Sequence, residues 1–222
     1  VTGHYRGTRI SVISTGIGPD NIDIVMNELD ALVNIDLQTK EIKTEKKHLN
    51  IVRIGTSGSV QADVPVHSFV ISEMSLGIDG VLRFYRDNER VCDTAFEDTF
   101  IKECHWTSLA ARPYAVKASP ELVNKLHTEG VTVKGVTLTA NGFYGPQGRV
   151  LRLPIEMPAV NDEIARFHFN GHKIVNYEME SAAIAGLSAL MGHHATTICL
   201  IIANRTTGDA SSNYKTYMKK LV

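Results

Sequence analysis

Two glutamates separated by one methionine stand near the end of the chain, in the segment IVNYEMES at residues 174–181. They follow a hydrophobic run and precede small residues such as Ala182 and Gly186. Carboxylates near the first turn of a helix interact favourably with the positive end of its dipole, and that role alone would explain Glu178 and Glu180. A carboxylate that holds a ligand is the other interpretation. The segment by itself leaves both open.

The segment RIGTSGS at residues 53–59 combines a guanidinium, two glycines and three hydroxyls. Glycines allow backbone N–H groups to approach an anion closely, and arginine pairs well with phosphate oxygens. The segment is not a P-loop, because the Gly-Lys-Ser/Thr ending is missing. It indicates either an anion site or an ordinary glycine-rich turn after a strand.

The segment FYGPQGR at residues 143–149 carries groups that suit a planar, polar ring. Phe143 can stack on such a ring. Gln147 offers an acceptor beside two donors, which can pair with the C=O and N–H edge of a pyrimidine. Arg149 can place its charge on a neighbouring carbonyl. By spacing alone, an exposed turn with a surface arginine explains the same residues.

Other kinds of chemistry find little support. The Gly-x-Gly of TGIGPD lacks the acidic residue that a dinucleotide site requires. His168 and His172 are four residues apart, but no HExxH pattern or carboxylate partner accompanies them. There is no GxSxG or Cys–His signature of a nucleophile. The metal content of the protein is therefore left unknown.

Strand and helix patterns alternate along the chain and place these segments after strands. Asp20 can cap a helix with apolar positions from Ile22 to Val33, and Ser119 and Pro120 mark the start of another. We predict residues 83–113 to be a polar, irregular excursion. Strands are predicted at 9–14, 50–60, 66–71, 131–140, 174–177 and 196–203. The last of them is expected to be central and buried on both faces. Further helices are predicted at 159–169, at 181–191 and at the end of the chain.

This alternation predicts an α/β protein with a central mixed, twisted sheet flanked by helices in three layers. No internal repeat or linker divides the chain, so we expect one domain. In such sheets ligands bind at the carboxyl ends of strands. Four loops lie there, and they contain TGIGPD, RIGTSGS, ANGFYGPQGR and NYEMES.

Composition excludes several functional classes. The 222 residues have a formal net charge of −1, which provides no basic field for nucleic acid. No apolar stretch approaches the ~20 residues of a membrane span. The three cysteines, Cys92, Cys104 and Cys199, lack CxxC spacing and indicate reduced thiols in a cytoplasmic protein.

Taken together, the motifs resemble one family. STGIG, RIGTSGS, GFYGPQGR, NYEMES and ANRT occur in the order and approximate spacing of the uridine phosphorylases, within the nucleoside phosphorylase family. The resemblance covers nearly the whole chain. It implies the single-domain nucleoside phosphorylase fold and a pentosyltransferase that converts uridine and phosphate into uracil and ribose 1-phosphate. Inorganic phosphate is then a co-substrate, and no cofactor is required.

The resemblance also implies the roles of individual residues. Arg53 and Thr56 would bind phosphate, with Thr56 also close to the ribose. Met179 and Glu180 would hold the ribose, with Glu178 beside them at the same site.

On the base side, the resemblance makes Phe143, Gln147 and Arg149 the uracil ligands. Gln147 and Arg149 would also be catalytic, because they face the carbonyl and N3 edges of a leaving group that becomes negative.

Two departures from the family pattern affect these expectations. Family members have a Gly-Asp-Pro phosphate loop followed by an arginine, which this chain lacks. We therefore expect residues 1–222 to be one nucleoside phosphorylase domain without its N-terminal segment. Ile17 and Asn21 fall where some members bind a monovalent cation between subunits, but asparagine replaces the serine that would bind it.

Alternatives within and beyond this activity stay open. Purine phosphorylases and nucleosidases place a catalytic aspartate where this chain has Asn204, and a non-catalytic nucleoside-binding protein would lack turnover. The family also implies a homo-oligomer, a dimer or a hexamer of dimers, with uridine and phosphate as partners and neither nucleic acid nor membrane. The motifs do not distinguish uridine from deoxyuridine or thymidine.

Overall fold

The computed structural model describes residues 1–221, which form a mixed β-sheet with helices on both faces. Short 3₁₀ turns occur at Val81–Phe84, Asn88–Arg90 and Gly145–Gln147. The strands are β1 (Thr2–Tyr5), β2 (Thr8–Ser11), β3 (Asn50–Ser59), β4 (Phe69–Gly77), β5 (Tyr114–Lys117), β6 (Thr132–Thr139), β7 (His168–Phe169), β8 (His172–Glu178) and β9 (His194–Asn204). The helices are α1 (Pro19–Asn34), α2 (Thr94–Glu103), α3 (Pro120–Leu126), α4 (Val160–Arg166), α5 (Ser181–Met191) and α6 (Tyr214–Leu221).

The sheet has the mixed topology that the sequence predicts. Strands β1 and β2 form a separate hairpin, and the others follow the order β3-β9-β4-β6-β8-β7, with β5 beside β4. Strand β3 is parallel to β9, and β4, β6 and β8 are parallel to one another. Strands β9 and β4 are antiparallel. The prediction of a central, buried strand at 196–203 is confirmed, because β9 lies between β3 and β4.

Helices cover both faces and complete the predicted three-layer arrangement. Helix α5 is buried over most of its length, and α1 packs against it through Ile22 and Met26. On the opposite face, Val123 of α3 and Leu221 of α6 pack near Ile71 and Ile198 of the sheet. No helix within residues 1–221 is long and apolar enough to cross a membrane.

The prediction that residues 83–113 are irregular is wrong in part, because α2 lies within them. Its N-cap residue Asp93 accepts a hydrogen bond of 3.1 Å from the backbone N–H of Phe96. Phe96 and Phe100 lie one turn apart and are fully buried. Glu97 lies between them, is also buried, and pairs with Arg83 at 2.6 Å. This charged residue on the buried face obscures the apolar period of the helix.

Helix boundaries differ from the prediction at two places. The N-cap of α1 is Gly18, not Asp20, which lies in the first turn of the helix. The helix predicted at 159–169 ends at Arg166, and β7 follows it. The helix predicted at 181–191 is confirmed at Ser181–Met191.

A chain of hydrogen bonds between buried polar side chains crosses the middle of the sheet. Ser181 of α5 donates to Ser72 at 3.4 Å, and Ser72 in turn lies 2.5 Å from Thr137. Thr137 donates to the Asn176 oxygen at 2.9 Å, and the Asn176 amide donates to Ser57 at 2.8 Å. The chain therefore connects α5, β4, β6, β8 and β3 just below the carboxyl end of β8.

Candidate active site

Arg53 of β3 holds two carboxylates at once. Its Nη1 lies 3.0 Å from Oε2 of Glu178, and its Nη2 pairs with Oε2 of Glu180. The guanidinium folds back over Gly55, where an added Cβ would lie only 2.6 Å from Nη1. A side chain at residue 55 would therefore displace the Arg53 guanidinium from this position. We call Arg53, Glu178 and Glu180 the acidic side of the site.

Glu178 ends β8 and closes the N-terminus of α5. Its carboxylate accepts hydrogen bonds from the backbone N–H groups of Glu180, at 2.8 Å, and Ser181, at 2.9 and 3.0 Å. The hydroxyl of Thr139, at the end of β6, donates to Oε1. The helix interpretation of the two glutamates therefore holds for Glu178, because unpaired N–H groups at a helix start need such acceptors.

Glu180 uses its carboxylate differently, although it is the N-cap residue of α5. Its side chain makes no capping bond. Instead, Oε1 accepts a hydrogen bond of 2.7 Å from the backbone N–H of Gly18, and Oε2 faces Arg53. Met179, between the two glutamates, is half-buried. The structure therefore brings Arg53, Glu178, Met179 and Glu180 together as predicted.

The residues of the acidic side shift one another's pKa values. Burial alone would lower the pKa of Arg53, but Glu178, Cys199 and Glu180 together raise it above its usual value. Burial raises the pKa of Glu178, and the neighbouring Glu180 adds to this, while Arg53 opposes it. One guanidinium serves two carboxylates here, so this side carries surplus negative charge when both are ionised.

The predicted base ligands also come together. Arg149 Nη1 donates to the backbone oxygen of Phe143 at 2.5 Å and to Oε1 of Gln147 at 2.6 Å. The Arg149 guanidinium lies 3.9 Å from the centre of the Phe143 ring, a cation–π contact. Gln147 is buried, and its side-chain amide N–H₂ makes no hydrogen bond within residues 1–221. That amide is available to donate to a ligand.

Arg205 belongs to this group, and the sequence interpretation assigned it no role. It follows β9 and donates to the backbone oxygen and to Oε1 of Gln147, both at 2.5 Å. Its guanidinium lies 4.4 Å from the centre of the Tyr177 ring. Burial and the neighbouring Arg149 lower the pKa of Arg205 to about 10. We call Gln147, Arg149 and Arg205 the basic side of the site.

A signal for Arg205 was present in the sequence. It stands directly after Asn204 in ANRT, at the carboxyl end of the most apolar strand. What the sequence could not show is that this strand end lies beside the 143–149 loop. The two sides meet at β8, where Tyr177 contacts Arg205 and the next residue, Glu178, contacts Arg53.

Asn161 in the first turn of α4 supports the basic side from behind. Its amide donates to the backbone oxygens of Gln147 and Gly148, both at 3.3 Å. Gly148 has φ +67°, and an added Cβ would meet the Asn161 amide at 2.3 Å. Gly148 therefore meets both a conformational and a packing requirement of the turn.

An open cavity of about 660 Å³ adjoins the basic side. Tyr144, Leu151, Leu153 and Met157 line it together with Arg149. No residue of the acidic side reaches it. The cavity is therefore a neighbour of the site, and the convergence of charged side chains at the strand ends locates the site better than the size of this space does.

Three other residues singled out in the sequence form no hydrogen bond with the two sides within residues 1–221. Side chains alternate along β3, so Thr56 and Arg53 leave the strand on opposite faces. The Thr56 hydroxyl makes no hydrogen bond within the described chain, and its phosphate and ribose roles stay predictions. The amide of Asn21 donates to the backbone oxygen of Ile17 at 2.5 Å, so these two groups bind each other. Across residues 1–221, no cluster of three or more His, Cys, Asp or Glu residues could hold a metal ion.

Comparisons with known proteins agree on the family but not on the base that the relatives' names give. A family model, the Phosphorylase superfamily, matches residues 1–221. The chain is 25% identical over 214 residues to the uridine phosphorylase of Thermococcus kodakarensis, covering 94% of this chain. It spans 62% of the length of that protein.

Two further relatives differ in the substrate that their names give. A purine nucleoside phosphorylase of DeoD type from Caldanaerobacter subterraneus subsp. tengcongensis is 28% identical over 225 residues, covering 98% of this chain and 75% of that protein. The structure of a Trypanosoma brucei nucleoside phosphorylase, which shows uridine phosphorylase activity, matches with a TM-score of 0.83 and 27% identity, covering 99% of this chain and 79% of that one.

Proposed function

The chain belongs to the phosphorylase superfamily, and we propose that it cleaves uridine by phosphorolysis, giving uracil and ribose 1-phosphate. Phosphate would attack the anomeric carbon while the bond to the base nitrogen breaks. Positive charge then develops on the sugar and negative charge on the base. An enzyme lowers this barrier by placing opposite charges at both positions in advance.

The observation that carries the proposal is the convergence of Arg149 and Arg205 on the Gln147 amide. The free N–H₂ of Gln147 can donate to one uracil carbonyl, and a guanidinium can donate to the other. Because both arginines donate to Gln147, a uracil bound to the Gln147 amide would lie beside two guanidiniums that can stabilise its departing anion. Phe143, which stacks under Arg149, offers a ring face to the base.

The acidic side suits the sugar, and Arg53 is its one group of a charge that attracts phosphate. Glu180 is buried yet accepts only two hydrogen bonds, so it has capacity for ribose hydroxyls. Arg53 is the cation that would meet phosphate. To do so, it must release part of its contact with a carboxylate, because its Nη atoms already face Glu178 and Glu180.

The purine relative supports a second candidate function, phosphorolysis of a purine nucleoside. Asn204 argues against it. The Asn204 amide donates to the backbone oxygens of Gln61 and Val64, and its oxygen accepts from the N–H groups of Thr206 and Thr207. The side chain is fully used in holding the backbone and has no acidic proton to give to a purine.

A substrate panel tests the proposal. Uridine, 2′-deoxyuridine, thymidine and inosine are incubated with the protein, with and without phosphate, and base release is followed by absorbance. We expect phosphate-dependent release of uracil and an inosine kcat/KM lower by up to ~10⁴, as for a site built to hydrogen-bond one edge of its substrate.

Each other outcome has a distinct meaning. Comparable inosine turnover would overturn the pyrimidine assignment, base release without phosphate would indicate a nucleosidase, and nucleoside binding without turnover would indicate a binding protein. Assembly as a dimer or hexamer, cytoplasmic location, the absence of a cofactor and the interface cation all stay predictions.

A further inference from the structure

The carboxylate of Glu178 has no free hydrogen-bonding position. A carboxylate offers about four lone-pair sites. Three donors already occupy them: the Thr139 hydroxyl, the N–H of Glu180, and the N–H of Ser181, which reaches both oxygens. Nη1 of Arg53 adds an ion pair, 3.0 Å from Oε2. The residue is 4% exposed, so water does not compete for these sites. A ribose hydroxyl would have to displace one of these three donors or the Arg53 guanidinium.

Glu180 is the contrasting case. Its carboxylate is as buried as that of Glu178 but has only two partners, the Gly18 N–H and Nη2 of Arg53. The remaining lone pairs of Glu180 are available to a ligand. Two glutamates that the sequence places at the same ligand are thus chemically different in the structure.

We propose that Glu178 is a positioning residue that holds Arg53 and the start of α5 in place, and that it does not bind the ribose. The inference rests on the proposed function. Glu178 contacts both the Arg53 guanidinium and the backbone N–H of Glu180. It therefore fixes the distance between Arg53, which would bind phosphate, and Glu180, which would bind the ribose. It replaces the ribose role that the family resemblance gave Glu178.

Glu178→Gln is the sharpest substitution. The shape is kept, but on either oxygen position the new N–H₂ must face a backbone N–H, that of Ser181 or Glu180, which is a donor as well. We therefore expect Arg53 to lose its fixed orientation. The matched variant is Glu180→Gln, which changes the same chemistry at the half-free carboxylate.

The test is a substrate comparison. Each variant is assayed with uridine and with 2′- and 3′-deoxyuridine, and the KM for phosphate is measured. Glu180→Gln should lose about tenfold or more with uridine and much less with the analogue that lacks its hydroxyl partner. Glu178→Gln should lose equally with all three nucleosides and raise the phosphate KM about tenfold. A loss that disappears with a deoxy analogue, or an unchanged phosphate KM, would overturn the proposal.

Further arms keep the proposal testable whatever the fold or the substrate does. If Glu178→Gln fails to fold, Thr139→Val should give the same pattern more weakly, and Thr139→Ser should restore wild-type kinetics. A loss in Thr139→Val that disappears with a deoxy analogue would overturn the proposal. If the wild type cleaves inosine instead, the proposed function fails, and inosine with 2′- and 3′-deoxyinosine completes the same comparison. If nothing is cleaved, calorimetric titration with inorganic phosphate should show weaker binding to Glu178→Gln than to wild type, and equal binding would overturn the proposal.

Discussion

The acidic side and the basic side meet at consecutive residues of β8 but carry opposite charge. Two carboxylates share Arg53 on one side, and two guanidiniums share Gln147 on the other. On the acidic side the surroundings raise the pKa of arginine, and on the basic side they lower it. Such a field favours a sugar that becomes positive and a base that becomes negative, before any substrate has bound.

The two sides are also built from different kinds of structure. Glu178 and Glu180 lie between a central strand and a buried helix, so their positions are set by the core. Gln147 and Arg149 lie on a 3₁₀ turn and a loop, and Phe143 is 53% exposed. Loops change more readily than strand ends. Relatives that differ in base but share ribose and phosphate would accordingly differ on the basic side.

The largest effect is expected from removing Arg149. Arg149→Ala should lower the uridine kcat by about 10²–10³, as when one donor to a developing anion is lost. Stopped or continuous absorbance assays at saturating phosphate measure it. Arg152→Ala is the control, since Arg152 is exposed in the same loop. A variant as fast as wild type would remove Arg149 from the leaving-group role.

A smaller loss is expected on the acidic side. Glu180→Ala should lower the uridine kcat/KM at least about tenfold, because hydrogen bonds to a charged group contribute roughly 1.5–3 kcal/mol. Circular dichroism and the Tm should show that the fold is intact. Glu45→Ala, at an exposed position, serves as the control. A folded Glu180→Ala protein with unchanged kcat/KM would contradict the assignment of Glu180 to the sugar.

The smallest of the three effects concerns Arg205. Arg205→Met keeps an apolar stem over Tyr177 but removes the donors to Gln147. We expect the uridine KM to rise by about fivefold to tenfold, which corresponds to about one hydrogen bond, with the phosphate KM unchanged. Steady-state kinetics with each substrate varied in turn provide the two values. An equal rise in the phosphate KM would mean that the two sides are not separable.

Most of the acidic side was predicted from the family resemblance, which the short local motifs carry. The prediction that RIGTSGS is a loop after a strand is wrong, because residues 53–59 lie within β3. Glu178 and Glu180 stand where an apolar run meets small residues, and Arg53 stands beside glycines, so strand ends alone suggest proximity. Arg205 and Thr139 were missed, because their roles depend on which strand ends lie side by side. Pairing between distant strands is not encoded in any single segment.

Local patterns also misled in identifiable ways. Buried Glu97 makes α2 look polar, and its partner Arg83 is fourteen residues away along the chain.

The buried polar chain from Ser181 to Ser57 affects how the sheet selects its own pairing. Hydrocarbon side chains tolerate a strand that slides, provided that the apolar face stays inside. A slide of one residue in β6 or β8 would turn Thr137 or Asn176 to the other face and leave its partners unpaired, at a cost of about 1–3 kcal/mol for each group. Because Thr137 and Asn176 each accept one hydrogen bond and donate another, one misplaced strand weakens the whole series. The series of buried hydrogen bonds thus favours one strand register, directly beneath Glu178 and Glu180.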